Sequence, residues 1–289
     1  MRLFIGTCLN IFPPRTFYEP AFLSTIMGHE LHVVDAFTGH PFRGNPAAVC
    51  ILDGPADPGW MQQVAAELRH SETAFLHPGA SGWNLRWFTP TREVELCGHA
   101  TLASAFVLWQ TRRAGEGSPI SFDTLSGMLT ARQDRAWITL DFPADPVQAA
   151  QPIPGLDKTL GAVPVFTGKG RFDLLVELPA AADVCDCEPD MAALATLPAR
   201  GIIVTAASDL PDFDFVSRFF APAAGIPEDP VTGSAHCCLG PYWGGKLKKT
   251  ELAGFQCSER GGSVKVTLAG DRVILGGHAV EVFSGQLHV

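Results

Sequence analysis

Basic residues are scarce in this 289-residue chain. Lys and Arg number 21 against 30 Asp and Glu, a formal net charge of −9, so no cationic footprint exists to neutralise a phosphate backbone, and nucleic acid is not an expected partner. Long apolar runs are missing as well. No stretch approaches the roughly 18 apolar residues of a membrane-spanning helix, because Gly, Pro or a charge interrupts each within about ten residues, and no membrane role is expected. Neither GxGxxG nor GxxxxGK[ST] occurs, and Gly168-Lys169-Gly170 has no helix behind it, so no dinucleotide or nucleoside triphosphate cradle is expected. The spaced pairs of a zinc site are lacking too: Cys185-x-Cys187 and His236-Cys237-Cys238 are the only clusters. No metal and no cofactor is expected. The eight cysteines are unevenly spaced, mostly inside apolar runs, which argues for free thiols in a reducing compartment and a cytoplasmic protein.

What is present is a folded globular composition, with 46% hydrophobic and 18% charged residues, enough for one large domain or two modest ones. The first residues, MRLFIGTCLNIFPP, are apolar but carry two prolines and no small-residue cleavage site, so 1–29 reads as an extension rather than a secretory signal. Beyond it the chain repeats itself. A strand ending at Phe37, before Thr38-Gly39, matches one over 163–166 before Thr167-Gly168. Trp60-Met61 matches Asp190-Met191, Phe88-Thr89-Pro90 matches Phe220-Ala221-Pro222, Gly98-His99-Ala100 matches Gly233-Ser234-Ala235, and Gly127 matches Gly262. These matches share one order and lie roughly 130 to 135 residues apart, which makes a duplicated α+β unit the economical explanation. Asp57-Pro58 supplies an N-cap and first helical residue, followed by Met61, Val64, Ala65 and Leu68 at helical spacing. The stretch 98–110 is different, being apolar on every side, and predicts a fully buried helix. Its counterpart covers 233–244. The expected architecture is two pseudo-symmetric lobes facing across a cleft, each a curved mixed sheet around a central buried helix. The first lobe is placed at 30–118 plus 278–289 and the second at 119–277.

A polar turn opens each central helix: ELCGHAT (95–101) and EDPVTGSA (228–235). Helix N-termini carry unpaired N–H groups and partial positive charge, so each is a candidate anion site, against the simpler alternative that Thr232 or Ser234 merely caps a helix. Gly98 and Gly233 admit a ligand close to the backbone, with His99 and Ser234 in equivalent positions. Glu72 stands where an amphipathic helix ends and an apolar strand begins, a setting that raises a carboxyl's pKa, though a solvated edge residue fits the same pattern. Asp229 before Pro230 reads equally as an Asx-turn. Cys97 suggests the two-thiol chemistry of cofactor-free racemases, but the position 135 residues on is Thr232. Cys97 is then a small buried residue.

The segments VVDAFTGHPFRGNPAAV (33–49), HSETAF (70–75), FTPTREVELCGHATLASAFVL (88–108), RFFAPAAGIPEDPVTGSAHCCLGPYW (218–243) and SERGGSVKV (258–266) resemble the PhzF-like phenazine-biosynthesis family. That resemblance implies the diaminopimelate-epimerase-like fold of two similar lobes, a homodimer, and an isomerase that moves a proton between carbons of a small carboxylic acid without a cofactor. It places the acid/base on Glu72, with His99, Asp229 and Ser234 around the substrate's carboxylate and developing enol, Gly98, Gly233 and Thr232 beside them, and Asn45 shaping the cleft wall. The other readings are an amino- or hydroxy-acid racemase on the same fold and a non-catalytic binding module. With His99 as a neutral donor, activity is expected to rise through an acid limb and stay flat from about pH 7 to 8.5.

Overall fold

The computed structural model describes residues 28–289; most of the expected extension lies outside them. The first unit runs β1 (His29–Ala36), β2 (Asn45–Ile51), α1 (Pro58–Leu68), β3 (Glu72–Gly79), β4 (Gly82–Phe88), β5 (Glu93–Val94), α2 (Gly98–Gln110), β6 (Ile120–Thr124), β7 (Gly127–Asp134) and β8 (Trp137–Pro143). The second runs β9 (Gln148–Ala149), α3 (Leu156–Leu160), β10 (Phe166–Lys169), β11 (Leu174–Glu177), α4 (Ala181–Cys185), α5 (Met191–Leu194), β12 (Ile202–Ala207), β13 (Phe215–Ala221), β14 (Ile226–Glu228), α6 (Gly233–Leu247), β15 (Glu251–Gln256), β16 (Gly262–Ala269) and β17 (Arg272–Gly277), and β18 (Ala279–Leu287) closes the chain.

Pairing shows the repeat directly. One ladder runs β18-β1-β2-β3-β4-β6-β7-β8 and the other β9-β10-β11-β12-β13-β15-β16-β17, and antiparallel pairing of β8 with β17 joins them. The parallel steps recur at matching places: β2 on β3 and β11 on β12, then β4 on β6 and β13 on β15. After β8 the chain crosses to the second ladder through β9, and after β17 it returns to the first through β18.

Several expected boundaries move. The strands of 120–143 continue the first ladder, so a division at 118–119 would cut it; the change of ladder comes after Pro143. His29 is already paired with Leu287, so the first lobe includes it. The strand expected at 163–166 begins only at Phe166, so Phe37, just after β1, and Phe166, opening β10, are not equivalent. The counterpart of α1 is two short helices, α4 and α5, around Cys187-Glu188-Pro189. Asp190 nevertheless caps α5, its side chain accepting from Ala192 N and Ala193 N, as Asp57 caps α1 by accepting from Trp60 N.

The sheet has an inner and an outer face, and the sequence alternates accordingly. In β2, Ala47, Val49 and Ile51 join the inner core with Leu102, Ala105 and Leu108 of α2, while Ala48 and Cys50 meet Met61, Val64 and Ala65 of α1 outside. In β12, Ile203 faces inward and Ile202, Val204 and Ala206 join the outer cluster with Leu156, Val184 and Leu194. Strands covered on both faces read as continuous apolar runs. Helix α6 carries Pro241 and a glycine stripe because it lies close to β16: a Cβ at Gly240 would meet Val266 Cγ1 at 2.7 Å, and one at Gly244 would meet Leu268 Cδ1 at 2.4 Å.

Candidate active site

The N-termini of α2 and α6 meet. A Cβ placed on Gly98 would lie 3.5 Å from the Gly233 Cα, and one on Gly233 would lie 3.5 Å from the Gly98 Cα. Neither N-cap side chain, Cys97 or Thr232, takes up the first N–H groups of its helix. Simple capping is therefore not what the polar turns do. Two sets of helix-terminal N–H groups and two dipole ends converge on one point, the arrangement that receives a carboxylate.

Asn45, fully buried at the start of β2, is the hub of the surrounding network rather than a wall residue. Its Nδ2 donates to Asp229 Oδ1 (2.7 Å) and Val231 O (2.9 Å) and faces His99 Nδ1 (3.1 Å). The two oxygens fix the orientation of the amide and take its two hydrogens, and His99 Nδ1, facing that donor nitrogen, carries no proton, which places the ring proton on Nε2. Nε2 lies 3.3 Å from Glu72 Oε2 and 3.3 Å from Ser71 Oγ. Asp229 Oδ2 accepts from Thr232 Oγ1 (2.5 Å), and Gln256 braces the same turn, its Oε1 accepting from Thr232 N (2.9 Å) and its Nε2 donating to Asp229 O (2.6 Å). Ser234 Oγ accepts from Arg200 Nη2 (2.9 Å).

Burial sets the electrostatics. The Glu72 side chain is 14% exposed and that of His99 5%. Desolvation, assisted by the charge of Asp229, raises Glu72 to about 7, while hydrogen bonds from Ser71 and Cys97 oppose it. Burial raises Asp229 to about 6 against the Thr232 and Asn45 hydrogen bonds and the Arg200 charge. Burial and the neighbouring His70 lower His99 to about 3, so the imidazole is neutral. Two carboxyls poised near neutrality beside a neutral N–H donor make an acid/base apparatus.

The eight expected site residues, Asn45, Glu72, Gly98, His99, Asp229, Thr232, Gly233 and Ser234, thus form one connected group. Cys97 also enters it, its Sγ 3.6 Å from His99 Nδ1. Burial and the Glu72 charge push that thiol well above its ordinary range, so it stays protonated. Glu72, Cys97 and His99 bring ligand-type atoms within 4.8 Å of one another, a grouping able to hold a cation that local spacing does not reveal. Sequence reasoning also missed Ser71, Arg200 and Gln256. Ser71 lies inside the HSETAF segment, and a glutamine within an apolar strand is itself a signal; Arg200 sits in an irregular stretch that matches nothing in the first copy.

The sequence profile described as phenazine biosynthesis-like protein matches residues 34–285. An uncharacterised isomerase of Halalkalibacterium halodurans is 50% identical over 263 residues, 91% of this chain and 99% of that protein. The crystal structure of a PhzF-family phenazine biosynthesis protein from Enterococcus faecalis superposes with a TM-score of 0.88 at 40% identity, covering 91% of this chain and 100% of that one. The fold extends further, to a probable proline racemase from Agrobacterium radiobacter, with a TM-score of 0.61 at 11% identity over 90% of this chain and 92% of that one.

Proposed function

Because the chain belongs to the phenazine biosynthesis-like family, we propose that it is an isomerase that moves a proton between carbons of a small carboxylic acid, with Glu72 as the single acid/base. The observation that carries this reading is the setting of Glu72: nearly enclosed, raised to about 7, hydrogen-bonded by Ser71 and Cys97, and with Oε2 3.3 Å from Nε2 of a neutral His99. A carboxyl with such a pKa is populated in both forms at neutral pH, so it can remove a proton as carboxylate and return it as acid, a contribution of about 10² to 10⁴ in rate. The substrate carboxylate sits between the N-termini of α2 and α6, where the helix dipoles and N–H groups also stabilise charge that develops on the enol as the proton leaves. His99 donates toward the reacting oxygen, and Asp229, fixed by Asn45 and Thr232, faces it from the other lobe. No cofactor is assigned to the step.

Glu72→Gln tests this by separating binding from turnover. The variant is expected to keep its affinity for an active carboxylic acid within about threefold and to lose at least about 10² in kcat. Retained kcat would remove Glu72 from the chemistry. A racemase using Cys97 is disfavoured by the protonated thiol and by Thr232 opposite it, whose hydroxyl is committed to Asp229.

A further inference from the structure

The polar network does not end at Ser234. Arg200, whose Nη2 donates to Ser234 Oγ (2.9 Å), also grips Asp173 through Nε (2.9 Å) and Nη2 (2.5 Å), and the Asp173 side chain is only 1% exposed. The guanidinium lies over the rings of Phe172 (5.3 Å) and Phe219 (5.9 Å). It is therefore held rigid, with both hydrogens of Nη2 and that of Nε committed and Nη1 left to face a ligand. Nη1 has no hydrogen-bond partner among the described residues, and Arg200 lines a cavity of about 420 Å³. Arg92 and Thr91, from the turn between β4 and β5, line it from the first lobe, with Ala199, Ala223 and Ala224 from the second. Among the described residues no carboxylate lines it. The acid beside Arg92 in sequence, Glu93, is already held by Arg86 in a bidentate pair (2.6 and 2.8 Å). In a chain of net charge −9, two arginines thus share a cavity whose other walls are neutral and small, and one of them is bonded to the N-terminal turn of α6.

We propose that this cavity is a second anion subsite of the same cleft and that the substrate is a dianion, with one carboxylate between the helix N-termini and a second carboxylate-type group received by Arg92 and Arg200. The proposal rests on the functional reading above. Arg200 also positions Ser234: the hydroxyl oxygen accepts from Nη2, so its O–H points away from the guanidinium and is available to the ligand. The rigid arginine of one lobe and the exposed arginine of the other would then hold the dianion from both sides.

Calorimetric titration with a series of dicarboxylates from succinate to adipate, against monocarboxylates of matched length, tests the subsite. At least one dicarboxylate is expected to bind about tenfold or more tighter than its monocarboxylate, a preference that weakens with salt. Arg92→Ala, an exposed position, should reduce that preference to about threefold or less, and Arg200→Lys should reduce it while uncovering Asp173. Equal affinities across the series, or a preference that survives Arg92→Ala, would overturn the proposal. Glu72→Gln keeps the two ideas apart: Arg92-dependent binding of dianions without Glu72-dependent turnover sinks the isomerase reading alone, and Glu72-dependent turnover of monocarboxylates with no dianion preference sinks the subsite alone.

Discussion

A carboxyl group serves a proton shuttle best when neither of its forms is remote at the working pH, and burial is what brings Glu72 there. Its pKa rises from 4.5 to about 7 and that of Asp229 from 3.8 to about 6, each chiefly through desolvation. Each group therefore holds its proton more tightly in the folded chain than in the unfolded one. The stability this contributes is complete below the unfolded values and is lost as pH rises through about 6 for Asp229 and about 7 for Glu72. A melting-temperature series from about pH 5 to 8.5 should fall, and Glu72→Gln, which stays neutral, should fall less, so that the variant's advantage widens to several degrees with rising pH. Parallel curves would mean that Glu72 is not buried as a costly charge. For catalysis the same values move the acid limb upward: kcat/KM should climb through about pH 7 and level off only near pH 8, above the plateau expected from the sequence. His99, at about 3, adds no falling limb.

At the scale of elements, the two central helices do different work with the same residue type. Gly233 and Gly98 let the two helix N-termini abut, whereas Gly240 and Gly244 leave space for β16. A Cβ at position 233 finds only ordinary contacts, the nearest at 3.5 Å, while one at 244 meets Leu268 Cδ1 at 2.4 Å and Lys249 O at 2.9 Å. Gly233→Ala is thus expected to change unfolding free energy by less than about 1 kcal/mol, and Gly244→Ala to cost about 1–3 kcal/mol. Urea denaturation checks both; equal losses in the two variants would contradict this difference in packing. Helix α2 was legible at 98–110 because an all-apolar stretch bounded by a polar turn has few other uses. Helix α6 was legible chiefly through its likeness to α2, since glycines and Pro241 obscure its own helical signal, and it runs three residues past the expected 244. Of the two short helices, α5 was legible at its start, Asp190-Met191, whereas α4 was not, because Pro189 interrupts the stretch where a copy of α1 would lie.

For the whole molecule, the duplication was readable because its landmarks are glycines and caps, which geometry constrains tightly. The change of ladder after Pro143 was not, since strand pairing between distant segments leaves no local mark in β6, β7 and β8. The site was legible where it coincides with the polar turns and the HSETAF segment. It was illegible at Arg200 and Gln256, whose partners come from other elements. What the architecture achieves is to bring Glu72 and His99 from one lobe against Asp229 and Ser234 from the other, over two abutting helix N-termini. The central claim is that this cleft moves a carbon-bound proton through Glu72. NMR of a bound carboxylic acid in D₂O tests it most directly: the wild-type protein is predicted to place deuterium on a substrate carbon and Glu72→Gln to place none above the uncatalysed background. Incorporation at equal rates in the two proteins would contradict the account.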